Sequence, residues 1–240
     1  MGTSWTNVIA EDAMLLMNDV RLDEDLAENP ALFFRRMSFY MKSAIPRFNR
    51  PPEIKEWLAI DHEPTFDDYA CDLGYYGETE DEIKIETGKT GYELVSVGMI
   101  EEDKFGNPVY SRVNSAAYDE ETGVITIPGG DIVLTKGAKL SVDFYNDGAF
   151  VNDLTYEQRR ILGMCMQYVW ETNFVNDWLN RAPRASDKTF NAGNVANQTR
   201  VNTDRVNSVK KTLDTEIAAY AQNCEYIEAI SNDRRIKSVY

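Results

Sequence analysis

The chain has one histidine, three cysteines and no long apolar run among its 240 residues. Each scarcity excludes something. His62, in "IDHEPT", has no second histidine with which to share a metal or form an acid–base pair, and neither GxSxG nor HExxH surrounds it. Flanked by Asp61 and Glu63, it reads as a surface residue in a loop. Cys71, Cys165 and Cys224 are scattered, odd in number and form no CxxC, which argues against a disulfide framework or a zinc site and fits a reducing compartment. Cys165 falls on a helical apolar stripe and reads as a small buried hydrophobe. Without some eighteen consecutive uncharged apolar residues, no transmembrane span is expected. The start, "MGTSWTNVIAEDAMLLMNDV", carries acids where a secretory signal carries Lys or Arg, so no such signal is expected. Gly2 and Thr6 match the N-myristoylation pattern, which is short and frequent by chance.

Positive charge is also scarce. Twenty-five Lys and Arg stand against 40 Asp and Glu, a net charge of −15. The stretch Glu53–Asp103 alone holds sixteen acids against Lys55, Lys84 and Lys89. Tight nucleic-acid binding needs Lys and Arg on phosphates, so the imbalance argues against a surface that grips phosphate. A solvated acidic face explains the imbalance, and it is compatible with a wall past which DNA slides. Forty acids also give many accidental carboxylate pairs, so a carboxylate-dependent glycan hydrolase stays open as a minor alternative. "GKT" at Gly88–Thr90 lacks the earlier glycine and the leading strand of a phosphate-binding loop. No catalytic residue, cofactor or metal ligand is identified.

What is present is a helix–strand–helix order. Trp5, Val8, Ile9, Ala13, Leu16 and Val20 recur at spacings of three and four, predicting an amphipathic helix. "NPALFFRRMSFYMKSAIP" predicts a second, with Asn29 as N-cap, Pro30 in the first turn and a stop at Pro46. "PPEIKEWLAI" reads as a short helix or extended bridge. "HEPTFDDYACDLGYYGETEDEIKIETGKTGYE" reads as an acidic flexible loop with a short strand at Ile83–Ile85. Then "YELVSVGMI", "VYSRVNSAAY", "GVITIPG", "DIVLT" and "KLSVDFY" are short β-branched and aromatic runs. Turns such as "KFGNP", "DEETG" and "YNDG" separate them, predicting an antiparallel sandwich or barrel. "DEETG" lacks the alternating acids of a calcium loop and reads as a hairpin turn.

Thr155 and Gln158 make a capping box that opens a long helix running to about Arg181. A polar stretch, "SDKTFNAGNVANQTRVNT", leads to a last helix with Val206, Val209, Leu213, Ile217 and Tyr220, which "YIEAI" extends, and the tail "SNDRRIKSVY" reads as loose or partner-bound. The capped helix carries two apolar stripes. Ile161, Cys165, Tyr168, Val169, Thr172 and Val175 form one. Met166, Trp170, Phe174 and Trp178 form the other, and need either the last helix of the same chain or a second subunit to cover them. These four are the candidate subunit interface. The expected fold is α+β: a β-sandwich or barrel-like domain (51–153, with an acidic loop region) between an N-terminal helix pair (1–50) and long C-terminal helices (154–240).

Four stretches carry a resemblance. "MKSAIPRFNRPPEIKEWL", "YDEETGVITIPGGDIVLTKGAKLSVDFY", "NDGAFVNDLTYEQRRILGMCMQYVW" and "SDKTFNAGNVANQTRVNTDRVNSVKKTLDTEI", in this order, resemble the neck proteins of tailed bacteriophages, the connectors or adaptors between head and tail. The likeness is one of overall pattern over about two thirds of the chain and has no counterpart for the acidic stretch Asp67–Glu86. It implies a non-enzymatic structural virion protein, assembled in the host cytoplasm into a homo-oligomeric ring, typically a dodecamer. Its partners would be the portal and other neck or tail proteins, with DNA passing through a channel without specific binding and no membrane involved. Another virion module, such as a tail-completion, attachment or decoration protein, is the alternative.

Overall fold

A computed structural model describes residues 2–73, 77–78, 82–103, 105–130, 133–134, 137–181 and 192–237, with backbone alone at 77–78, 133–134, 178–181, 192–196 and 230–237. The fold is mixed, with helices at both ends of the chain and antiparallel strands between. It opens with α1 (Trp5–Asn7), a π-helical segment (Val8–Ala13), α2 (Met14–Met17), α3 (Val20–Glu28), α4 (Pro30–Ala44), a 3-10 turn (Ile45–Arg47) and α5 (Ile54–Trp57). Strands follow: β1 (Ile60–His62), β2 (Thr65–Asp72), β3 (Gly77–Glu78), β4 (Ile83–Glu86), β5 (Glu93–Glu102) and β6 (Pro108–Arg112). After these come β7 (Ala117–Asp119), β8 (Val124–Ile127), β9 (Val133–Leu134), β10 (Lys139–Asn146) and β11 (Ala149–Phe150). Two long helices end the chain, α6 (Tyr156–Arg181) and α7 (Ala192–Lys237). No helix is long and apolar enough to cross a membrane among the described residues.

The chain divides into two compact units. One comprises Val20–Arg36 and Glu63–Gly148 and carries the larger sheets. Its four-stranded antiparallel sheet has the order β2-β10-β5-β6, and its three-stranded sheet the order β4-β8-β7. On β10 the period of two is plain: Leu140, Val142 and Phe144 are buried, while Ser141 and Asp143 between them point to the other face. Those three side chains share one core with Val97 and Met99 of β5 and with Ile125 and Ile127 of β8, so both sheets contribute to it. Tyr118 of β7 meets Phe144 directly, ring centroids 5.2 Å apart. On the opposite face of the four-stranded sheet, Tyr145 stacks on Phe34 at 4.7 Å and meets Phe66 at 5.2 Å. Among the described residues neither sheet closes into a barrel.

The other unit comprises Met1–Asp19, Met37–His62 and Ala149–Tyr240, so α4 passes from one unit into the other. Its centre is α6, buried around its whole girth from Ile161 to Met166. A helix apolar on every side belongs inside a core, and this one has neighbours on several sides.

Three expectations are corrected. Thr65–Asp72 is an eight-residue strand, not a loop: Asp67, Tyr69 and Cys71 alternate with Phe66, Asp68 and Ala70 along the full length of β10. The first helix ends at Asn18, whose left-handed φ of 43° breaks it, so Val20 starts α3 instead and is 69% exposed. The last helix begins at Ala192 and runs without a break to Lys237, through the described part of the stretch read as polar linker and most of the tail read as loose. Parts of "GYYGETED", "DIVLT" and "RAPRASDKTF" lie outside the described residues, as do 238–240.

Candidate functional site

The strand-to-helix junction ahead of α6 is stapled to distant parts of the chain. Phe150 N donates to Thr3 O at 2.9 Å, Thr3 N to Asn152 O at 3.1 Å, and Leu154 N to Thr3 Oγ1 at 2.7 Å. Val151 N donates to Ala59 O, and Asn152 Nδ2 to Glu56 O. At Gly2 any Cβ would overlap the Phe150 carbonyl, so a bare backbone is needed there. The helix then starts on the expected capping box: Gln158 N donates to Thr155 Oγ1 at 3.3 Å, and Thr155 N to Gln158 Oε1 at 2.8 Å.

The surroundings of α6 decide what its two stripes do. Gly163 lies against the π-helical segment, where a Cβ would stand 3.1 Å from Asp12 Cβ and 3.2 Å from Ala13 N. On the same side Arg159 pairs with Glu11 at 2.7 Å and Gln167 donates to Leu16 O at 2.8 Å. At about 100° per residue, Met166 and Trp170 fall within about 60° of Gly163, on the face turned to the N-terminal segment. Met166 is fully buried and Trp170 is 7% exposed. Phe174 is half-buried, its ring 6.0 Å from that of Trp170, and the Trp178 side chain lies outside the described residues. Two of the four candidate interface residues are therefore core residues of this chain.

The first stripe has its own neighbours. Arg47 sits 4.8 Å over the Tyr168 ring. Cys165 is buried beside it, and burial pushes its thiol up to about 12. Such a thiol stays protonated and is a packing group, not a nucleophile.

Two ion pairs set the register of α7. Arg160 pairs with Glu216, and the buried Glu171 with Arg205 at 2.5 Å. Glu171 comes eleven residues after Arg160, and Arg205 eleven before Glu216, so the helices run antiparallel. Among the described residues the buried side chains of α7 are Leu213, Ile217 and Tyr220, with Tyr220 against Phe48 at 5.5 Å. By that register the start of α6 is level with Tyr220. Everything from Ala221 to Lys237 runs past it, roughly 25 Å at 1.5 Å per residue. The buried stripe of Leu213, Ile217 and Tyr220 continues at Cys224, half-buried, and emerges at Ile227, 67% exposed beside Tyr226 at 68%. A seam that is dry at one end thus comes out bare at the other.

No family model matches the chain, and no curated protein does.

The remaining candidate chemistry is accounted for locally. His62 is exposed, its Nδ1 3.0 Å from the adjacent Asp61. In the "GKT" segment Lys89 is engaged by Asp67, and the preceding Thr87 donates to Gly123 O at 2.7 Å. "DEETG" is the β7–β8 hairpin turn: the Asp119 carboxylate accepts from Thr122 Oγ1 at 2.7 Å and from Glu121 N at 3.0 Å, which lowers its pKa. Among the described residues no group of three or more His, Cys, Asp or Glu is placed to hold a metal ion. The last helix runs through "YIEAI" as expected, and its start at Ala192 and its continuation to Lys237 go beyond that expectation. The four–three–four–three spacing of Leu213, Ile217, Tyr220, Cys224 and Ile227 is the signal that carries the helix through "YIEAI".

Proposed function

We propose that this chain is a structural virion protein that assembles into a ring in the neck of a tailed bacteriophage, joining head to tail and letting DNA through. The resemblance of the four stretches supplies the family, and the projecting end of α7 is the observation that carries the assembly. Tyr226 and Ile227 continue a buried seam into solvent, where a neighbouring subunit or neck protein gains apolar area by covering them. The two sheets that share the core around Phe144 are read here as an antiparallel sandwich, a stiff body suited to a ring wall. The net charge of −15 supports a channel that does not hold DNA.

The test is the mass of the full chain in native mass spectrometry. A ring gives a multiple of 27.4 kDa, and a Tyr226→Asp, Ile227→Asp double variant melts like the parent but assembles about tenfold less well. A chain that stays at 27.4 kDa, both alone and beside portal and tail proteins, overturns the reading.

A further inference from the structure

We propose that copies of this chain join through the two outer edges of the four-stranded sheet, β6 of one copy adding as a strand to β2 of the next. The inference rests on the ring reading and adds a strand contact between copies to the one at the end of α7.

The sheet order leaves β2 and β6 outermost, and no strand pairs with either outer edge among the described residues. All five residues of β6 are exposed, with Val109 at 47% and Tyr110 at 54%. Val113 N donates to Val97 O at 2.8 Å, so alternate residues of β6 turn toward β5 and the N–H and C=O of Tyr110 and Arg112 turn outward. On β2, Leu73 N donates to Ala138 O, which by the same alternation turns Phe66, Asp68, Ala70 and Asp72 outward. The Asp68 N–H accordingly meets its neighbour's side chain, Asp67 Oδ1 at 2.9 Å, and no strand.

Strand number makes the two edges compatible. Four alternating strands end in opposite directions, so a copy placed alongside by rotation alone sets its β2 antiparallel to β6 and keeps each sheet face on one side. That is a head-to-tail contact of two different patches, the kind that closes into rings. Side chains fit as well. Arg112, Gly98, Ser141 and Ala70 form one row across the sheet. Carried straight on, the row sets Arg112 opposite Ala70 of the next copy, with Asp68 and Asp72 as its diagonal neighbours on that face. One guanidinium nitrogen already donates to Ala27 O at 2.6 Å, which leaves four N–H donors, and Lys139 stands 3.7 Å from Asp72.

Two proline variants of the full chain test this. Tyr110→Pro and Ala70→Pro each remove an outward N–H from an edge strand, where proline is tolerated. Each alone, melting like the parent, assembles more weakly by roughly tenfold or more. Mixed one to one they form chiefly a complex of twice 27.4 kDa, because each retains the edge the other lacks. Arg112→Glu also weakens assembly, and adding Asp68→Lys with Asp72→Lys restores it; this pair decides alone if the prolines unfold the chain. Parent-like assembly of folded proline variants, or a mixture that stays monomeric, overturns the edge contact and leaves the ring standing. A monomeric parent overturns both.

Discussion

Asp12 lies buried on the π-helical segment, its Oδ2 without a hydrogen bond and 3.8 Å from Arg159 Nε. Burial raises its pKa, only partly offset by the Arg159 charge. A carboxyl raised in this way is held at a cost whenever it is ionised, so its contribution worsens as pH rises through the folded pKa. Asp12→Asn is therefore expected to raise the melting temperature at pH 7 by about 2 °C, an advantage that shrinks as pH falls toward 4. Thermal melts of both proteins at the two pH values check the sign, and a variant that melts lower at pH 7 refutes it. None of this was legible in the sequence. Asp12 falls among apolar positions of an amphipathic pattern, but only the widened π turn and the bare Gly163 opposite bring it inside.

Among the elements, those with a sharp local code were legible and those with a mixed one were not. The Asn29 cap, with Leu32 N donating to its Oδ1 at 3.0 Å, and the Thr155–Gln158 box stand where they were expected. Each fixes a helix start through orphan N–H groups that any fold must satisfy. Thr155→Ala should cost about 1 kcal/mol, a fall in melting temperature of about 2–4 °C, and an unchanged melt would mean the cap is dispensable. Strand β2 was hidden because its acids occupy the positions that alternation gives to solvent or to Lys89, so its acidity masked its period. Helix α7 was cut short for a related reason. Asn and Thr are weak helix formers, but many weak positions are carried when a buried stripe and ion pairs to α6 hold the middle. The candidate interface was half legible. The second stripe of α6 exists, but Met166 and Trp170 meet their own chain, since spacing reveals that a face is apolar and not which segment covers it.

For the whole molecule, charge gives the plainest expectation. A net charge of −15 should keep duplex DNA from forming a stable complex even at about 50 mM salt, where electrostatic binding is strongest. A gel-shift titration checks it, and tight binding that salt abolishes would contradict a passive channel.

The interleaving of the two units also has a consequence for synthesis. The neighbours of Trp5–Met17 on α6 are translated more than a hundred residues after it. At about 5–20 residues per second, the emerging N-terminal segment waits roughly ten to thirty seconds for them. Meanwhile every strand of the intervening unit has left the ribosome and can pair. The body encoded in the middle can thus mature first, and the unit that encloses it in sequence is completed last, when α6 arrives to cover an apolar N-terminal segment that has waited for it.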